Sequence, residues 1–84
     1  MKIIWTKHAK KRQNEWERKK GIIPEVIEEV LSKPDQIVKG DGEILIAQSR
    51  KQNGLLRVLF LNLKGGKKII TIYWTSKIEK YWSS

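Results

Sequence analysis

The apolar positions in the first third of the chain follow the periods of one strand and two helices. Residues 2–6, KIIWT, are mostly β-branched or aromatic, which is typical of a strand. Residues 7–20 lack Pro and Gly and are rich in good helix formers, and Gly21 follows where a glycine commonly ends a helix. Pro24 suits the first turn of a second helix, over about residues 24–32, whose apolar side chains share one face while its glutamates lie on the other.

From residue 36 onward the apolar and polar positions alternate with the period of β-strands. The segment QIVKG leads into a predicted turn at Gly40–Gly42, and EILIAQS follows it. Asn53-Gly54 fits a second turn, because both residue types tolerate positive φ. The two longest strand-like runs come next, at residues 55–63 and 67–75.

The loop between these two runs predicts which side chains face each other. A two-residue loop at Gly65-Gly66 would place Arg57 opposite Trp74 and Leu59 opposite Ile72. The tail SKIEKYWSS fits either a turn of helix or a last short strand.

The order of these segments, β-α-α-β-β-β, predicts the α+β class. We expect two N-terminal helices packed on one face of a mainly antiparallel four-stranded sheet. A chain of 84 residues is too short for two cores, so residues 1–84 are expected to form a single domain. One face of the sheet would then stay partly uncovered and could meet a ligand.

The charge is unevenly distributed, in two basic segments that flank an acidic one, and the net charge is +9 at pH 7. Residues 1–20 carry eight Lys and Arg against two Glu (+6), residues 21–43 carry two against six acidic residues (−4), and residues 44–84 carry eight against one (+7). So high a charge on a small body attracts polyanions, and the attraction weakens with salt. Nucleic acid is therefore the expected class of partner, and a role in solubility alone is the alternative.

The composition also argues against several classes of site. Without cysteine there is no disulfide, no zinc-thiolate site and no thiol nucleophile, and a single histidine disfavours a histidine-rich metal site. We therefore expect no metal and no cofactor. No apolar run approaches the roughly 20 residues that cross a bilayer, and MKIIWTK is too short to be a signal peptide. The expected location is the cytoplasm, with no membrane partner.

Five short motifs, in their order and spacing, resemble a known protein family. They are His8-Ala9-x-x-Arg12, a Gly21-Ile22 break, Leu31-Ser32-Lys33-Pro34-Asp35 after an acidic helix, a Leu56-Arg57-Val58-Leu59 strand and an Ile69-Ile70-Thr71-Ile72-Tyr73 strand. The chain is similar, over nearly its whole length, to a small prokaryotic family related to the RelE/ParE-type toxins. Its first helix is longer than the family pattern by about one turn.

The resemblance implies a fold, an activity and a partner. The implied fold again has two helices over a four-stranded sheet. Several members of the toxin superfamily cut messenger RNA on the ribosome without metal, whereas others poison gyrase. Many are neutralised by an antitoxin protein whose extended segment wraps the toxin. An antitoxin-like partner is therefore implied here, and the same surfaces would also allow a homo-oligomer.

Cleavage of RNA by its own 2′-hydroxyl requires a group that takes the 2′ proton, a group that protonates the leaving 5′ oxygen, and cations that stabilise the charged phosphorane. A histidine can take or give a proton near neutral pH, so His8 could be the base or the acid but not both at once. Tyr73 and Tyr81 are candidates for the second proton-transfer group. The cations that could hold the phosphate are Lys7, Arg12, Arg50 and Arg57. The predicted catalytic residues are His8, Arg12, Arg57 and Tyr73, and the predicted nucleic-acid-binding residues are Lys7, Lys10, Lys11, Arg50, Lys51 and Lys68.

Each candidate also has an ordinary structural interpretation. His8 could cap or pack at the strand-to-helix junction, and Arg12 could pair with Glu15 or Trp16 on its own helix. Arg57 could stack on the Trp74 ring. For the whole protein, non-catalytic nucleic-acid binding, or pairing of a partner strand with the sheet edge, are the alternatives to cleavage. The cleavage hypothesis requires that cations from both basic segments converge on one surface.

Overall fold

The computed structural model of the protein describes residues 2–84. Within this range five strands and three helices follow one another in the order β1 (Lys2–Trp5), α1 (Lys7–Lys20), α2 (Pro24–Ser32), β2 (Gln36–Lys39), β3 (Leu45–Lys51), β4 (Gly54–Leu63), β5 (Gly66–Thr75) and α3 (Ile78–Tyr81). The helices predicted at residues 7–20 and 24–32 are confirmed, and the tail forms the helical turn. In this part of the chain no helix has the length and apolar content needed to cross a membrane.

Helix α1 begins and ends at residues that satisfy its free backbone groups. The Thr6 hydroxyl accepts a hydrogen bond from the Ala9 amide (3.1 Å) and donates one to the Ile69 carbonyl oxygen (2.8 Å), so it also ties the helix to β5. At the other end Gly21 takes a left-handed φ of 68°, and its amide donates to the Glu17 carbonyl oxygen (2.8 Å). This is the conformation for which glycine is the preferred residue.

The sheet has the strand order β1-β5-β4-β3-β2. β1 runs parallel to β5, and the other three neighbouring pairs are antiparallel. The predicted four-stranded, mainly antiparallel sheet is therefore wrong, because residues 2–84 form a mixed sheet of five strands. The α+β class itself is confirmed.

The strand count differs because β2 and β3 form a hairpin of two separate strands, and β1 adds a parallel edge. Gly42 takes a φ of 58° and the Gly40 amide donates to the Ile44 carbonyl oxygen (2.8 Å), so the chain reverses between the two strands. At the other edge of the sheet, Gly66 of β5 lies against the Lys2 carbonyl with no room for a Cβ atom. A glycine there lets β1 approach and pair.

The loop of the β4–β5 hairpin lies one residue earlier than predicted. Leu63 pairs with Gly66, so the two-residue loop consists of Lys64 and Gly65. Gly65 takes a φ of 82°, a backbone conformation that a two-residue hairpin loop requires.

A β-bulge between Leu59 and Phe60, whose partners in β5 are Thr71 and Ile69, then slips the pairing by one residue and changes which side chains share a face of the sheet. Arg57 pairs with Tyr73, contrary to the predicted pairing with Trp74. Trp74 instead packs against the hydrophobic core, where the Lys20 Nζ atom lies 3.5 Å from the centre of its ring. A slip of one residue moves a side chain to the opposite face of a strand.

The hydrophobic core lies between the sheet and the pair of helices α1 and α2. Ala47, Val58 and Ile72 are neighbours across β3, β4 and β5 and belong to this core. Ile27 and Leu31 of α2 are fully buried against them. Both helices therefore pack on the same face of the sheet, which agrees with the predicted layering.

The other face of the sheet, which we call the outer face, carries polar side chains at its centre. Successive side chains on a strand point to opposite faces, so Gln48, Arg57 and Tyr73, each adjacent in sequence to a core residue, lie on the outer face. Residues 76–84, which we call the C-terminal segment, include α3 and lie over this part of the outer face.

Candidate anion-binding site

Four polar side chains form a line across four neighbouring strands of the outer face. The strand register pairs Gln36 with Gln48, Gln48 with Arg57, and Arg57 with Tyr73. We call these four residues the polar row. Because the register places them side by side, the row is a consequence of strand pairing and does not depend on a loop.

Hydrogen bonds join all four members of the polar row. The Gln48 amide nitrogen donates to the Gln36 side-chain oxygen (2.9 Å), and the Gln48 side-chain oxygen accepts from Arg57 Nε (2.8 Å). Arg57 Nη1 donates to the Tyr73 hydroxyl oxygen. Gln48 is fully buried and Arg57 is 6% exposed, so the guanidinium is held in a fixed orientation.

The C-terminal segment covers the polar row. The Tyr81 ring lies on the Arg57 guanidinium, with 4.2 Å from Cζ to the ring centre, and meets the Tyr73 ring edge to face at 6.3 Å and 74°. Gln48 also donates to the Tyr81 carbonyl oxygen (3.0 Å). The Gln36 side chain donates to the Ser83 carbonyl oxygen and accepts from the Ser83 amide.

Arg57 has no carboxylate partner among residues 2–84. The two ion pairs in this range join Arg12 to Glu15 (2.9 Å) and Lys51 to Glu29 (3.3 Å). Removing an ion from water costs on the order of several kcal/mol, and the Arg57 charge is offset here only by neutral oxygens and aromatic rings. A buried cation without a counter-ion favours an anionic ligand, and arginine suits the two-pronged binding of phosphate.

The pKa of Tyr81, whose ring lies on Arg57, is lowered by neighbouring side chains. A hydrogen bond from Lys80 is the largest of the effects that lower the pKa of the Tyr81 hydroxyl from its ordinary value of 10.0. Tyr73 and Arg57 add to this lowering, whereas desolvation acts in the opposite direction. A phenol with a lowered pKa exchanges a proton nearer to neutral pH than an ordinary tyrosine does.

The structure does not bring the four predicted catalytic residues to one place. Arg57 and Tyr73 are in contact on the outer face, whereas His8 and Arg12 are exposed on α1, which packs on the opposite face. Arg12 pairs with Glu15, as its ordinary structural interpretation expects, and thereby lowers the pKa of that carboxyl group. The catalytic roles of His8 and Arg12 stay predictions.

The predicted nucleic-acid-binding residues are likewise divided between the two layers. Lys7, Lys10 and Lys11 are exposed on α1, and Lys10 Nζ lies 5.4 Å from the centre of the Trp5 ring. Lys51 pairs with Glu29 of α2 on the helical side of the sheet. Arg50 and Lys68 belong to the outer face by strand alternation. The expected single cationic surface is therefore two surfaces, and the required convergence of the two basic segments is not found. A cleavage site can be argued only from the outer face, whose cations come from the second basic segment.

The two glutamines of the polar row were not among the predicted site residues. Gln48 lies within the strand-like run EILIAQS. It is fully buried in the structure, and a buried amide needs hydrogen-bond partners, so a glutamine in such a run is a signal of a polar network. Recognising its link to Arg57 needs the β3–β4 register, which the sequence pattern does not give. Tyr81 was a candidate, and it does contact Arg57.

No protein-family model matches the sequence, and comparisons with curated proteins and with solved structures gave no significant match. The resemblance to the RelE/ParE-type toxins therefore stays a prediction from the motifs. What the site can do has to be argued from its own side chains.

Proposed function

We propose that this chain is a toxin-like RNA-binding protein and a metal-independent endoribonuclease that acts on messenger RNA. Arg57 is its phosphate-binding residue, and Tyr73 is its proton-transfer group. The observation that carries the proposal is the state of Arg57, which is 6% exposed and, among residues 2–84, has no carboxylate partner. The basic character of the chain supports a polyanionic substrate.

The groups around Arg57 suit the cleavage of RNA by its 2′-hydroxyl. The 2′-oxygen attacks phosphorus and loses its proton, while the bond to the 5′-oxygen breaks and that oxygen gains a proton. Arg57 would stabilise the negative charge that builds up on the phosphorane oxygens. The proton of the 2′-hydroxyl passes to solvent water. Tyr73 accepts a hydrogen bond from Arg57, so its own O–H can be donated to the leaving oxygen and protonate it.

RNA binding without cleavage is the second candidate function. The observation that favours it is the position of His8, which is exposed on α1, on the other side of the sheet from Arg57. In this case Arg57 still binds phosphate, but no residue of the outer face moves a proton.

The proposal brings two expectations with it. Messenger RNA is translated in the cytoplasm, so this is the proposed location of the protein. A toxin-like activity requires control in the cell, and an antitoxin-like protein, as the family resemblance implies, is the proposed partner.

The test compares the wild-type protein with Arg57→Gln, on naked RNA in the presence of a chelator and on messenger RNA during translation. We expect the wild type to cleave at least one of these substrates and Arg57→Gln to be about 100-fold slower, as for other losses of a group that stabilises transition-state charge. Arg18→Gln is the matched control, because it removes the same charge from an exposed position on α1. Circular dichroism shows whether each variant folds. If Arg57→Gln does not fold, Arg57→Lys is tested in its place.

Binding to a 2′-O-methylated RNA, which cannot be cleaved by its 2′-oxygen, separates the two candidates. Binding that depends on Arg57, without cleavage of either substrate, would establish the second candidate. A wild-type protein that neither binds nor cleaves RNA at low salt would disprove both.

A further inference from the structure

Two planar rings of the C-terminal segment lie on two guanidinium groups of the outer face. The Tyr81 ring centre is 4.2 Å from Cζ of Arg57, and the Trp82 ring centre is 4.5 Å from Cζ of Arg50. The register pairs Gln48 with Arg57 in β3 and β4, so Arg50, two residues after Gln48, is a diagonal neighbour of Arg57 on the same face. Two consecutive rings thus occupy two adjacent cationic positions.

The rest of the segment is held through its main chain. Gln48 donates to the Tyr81 carbonyl oxygen, and Gln36 bonds both the amide and the carbonyl of Ser83. These contacts do not depend on which side chains the segment carries. Helix α3 is four residues long, and none of its residues is buried. Elements of this kind open at a small cost in free energy.

The same groups suit the bases of a single-stranded nucleic acid. Nucleobases are planar, and in single strands they stack on aromatic rings and on arginine guanidinium planes. The side-chain amides of Gln36 and Gln48 offer the donors and acceptors that base edges and 2′-hydroxyls need. A base inside a double helix cannot reach such positions, because both of its faces are already stacked.

On the basis of the function proposed above, we infer that the C-terminal segment occupies a binding site for single-stranded RNA, in which Tyr81 and Trp82 take the places of two consecutive bases. RNA binding at Arg57 then requires that the segment moves away. The segment competes with the RNA, so the apparent dissociation constant is larger than the intrinsic one by the inverse of the fraction of molecules in which the site is open.

Two substitutions in the 84-residue chain weaken, in different ways, the contacts that hold the C-terminal segment on the outer face. Trp82→Ala removes the ring that lies on Arg50. Ser83→Pro keeps both rings but removes the amide that donates to Gln36 (3.1 Å), and the φ of −75° and ψ of 128° at Trp82 already suit a residue before proline. Leu63→Ala is the control, because Leu63 is 42% exposed at the β4–β5 hairpin and belongs to neither the polar row nor the segment.

The probe is a short, fluorescein-labelled, 2′-O-methylated single strand, compared with the same strand annealed to its complement. We expect both variants to bind the single strand more tightly than the wild type, by up to about tenfold if the segment covers the site in roughly nine of ten molecules. Binding of the duplex and the behaviour of Leu63→Ala should stay at wild-type levels. In wild-type protein, the single strand should also shift the nuclear magnetic resonance signals of the Trp82 indole and the Ser83 amide.

Other outcomes overturn the inference without touching the proposed function. Weaker binding by Trp82→Ala would make Trp82 part of the RNA platform, and unchanged affinity in both variants would mean that the segment does not cover the site. If both variants gained equal affinity for the duplex and for the single strand, the assignment of the site to single-stranded RNA would be contradicted. The proposed function fails separately, if Arg57→Gln binds the single strand as well as wild type does.

Discussion

The Arg57 guanidinium is positioned by one buried amide, since Nε of Arg57 donates to the side-chain oxygen of Gln48 at 2.8 Å. The orientation of that amide is fixed, because its nitrogen donates both to Gln36 and to the Tyr81 carbonyl oxygen. Only the oxygen is left to face Arg57. Gln48 is thus a positioning residue that joins the sheet, the cation and the C-terminal segment.

Replacement of Gln48 by Met, which has a similar size, should destabilise the fold and weaken RNA binding together. The substitution leaves Arg57 Nε and the Tyr81 carbonyl without their partner, and each unsatisfied buried group costs about 1–3 kcal/mol. Urea denaturation measures the free energy of unfolding, and fluorescence anisotropy measures binding to the methylated RNA.

Gln52→Met is the control for this substitution. Gln52 is exposed, and its amide donates to the Lys20 carbonyl oxygen, so its replacement should cost no more than about 0.5 kcal/mol. Equal losses for the two substitutions would show that the Gln48 amide has no special part in the network.

The pH dependence of the site should be visible in the titration of Tyr81. Its hydroxyl has a lowered pKa with Lys80 as the largest cause, so Lys80→Met should raise this pKa toward the ordinary value of 10.0. The phenolate absorbance during an alkaline titration reports the change, and Tyr81→Phe identifies which of the two tyrosines it belongs to. A pKa of Tyr81 that does not respond to Lys80→Met would contradict the assigned cause.

The lowered pKa of Tyr81 also makes the free energy of unfolding depend on pH. A group whose pKa is lower in the folded state binds fewer protons there than in the unfolded chain. The contribution of Tyr81 to stability is therefore fully present above its unfolded pKa and is lost as the pH falls through the folded value. Between these two values wild type should gain stability over Lys80→Met as the pH rises.

The sequence predicts local elements well in this chain because their ends carry specific residues. Gly21 and Pro24 bound the two helices, and both limits are found in the structure. The β4–β5 register is different, since loops at residues 64–65 and 65–66 both contain a glycine. A loop at 64–65 alone would place Ile72 opposite Arg57, and the β-bulge between Leu59 and Phe60 brings Tyr73 there; both depend on the packing of the whole sheet.

The site was predictable only in part for a related reason. Arg57 and Tyr73 stand in strand-like runs, and each was a candidate by residue type. His8 and Arg12 are close to many cations in sequence, but α1 packs on the helical side of the sheet through Ala9. Which layer a helix covers follows from tertiary packing, so sequence proximity to other cations did not predict proximity in space.

The junction between β1 and α1 should depend on the Thr6 hydroxyl. It accepts from the Ala9 amide and donates to the Ile69 carbonyl oxygen, so Thr6→Ala should lower the free energy of unfolding by about 1–2 kcal/mol. Thr6→Ser keeps the hydroxyl and is the matched control, with a smaller loss expected. Thermal or urea unfolding checks both, and equal losses would assign the effect to the methyl group of Thr6.

The division of the cations between two layers should appear in the salt dependence of RNA binding. Each phosphate contact of a single strand contributes about 0.7 to the slope of the logarithm of affinity against the logarithm of salt concentration. If the exposed Lys7, Lys10 and Lys11 of α1 contact phosphates, replacing all three by Gln should reduce this slope by roughly 2.

Arg57→Gln should behave differently, because one buried cation contributes at most one such contact while its loss removes the bound phosphate at the centre of the site. We therefore expect a large loss of affinity with a slope reduced by less than about 1. An unchanged slope in the triple Lys→Gln variant would mean that α1 is a solvated surface and that RNA contacts only the outer face. In that case Arg50 and Lys68, which share that face with Arg57, would be the remaining source of the salt dependence.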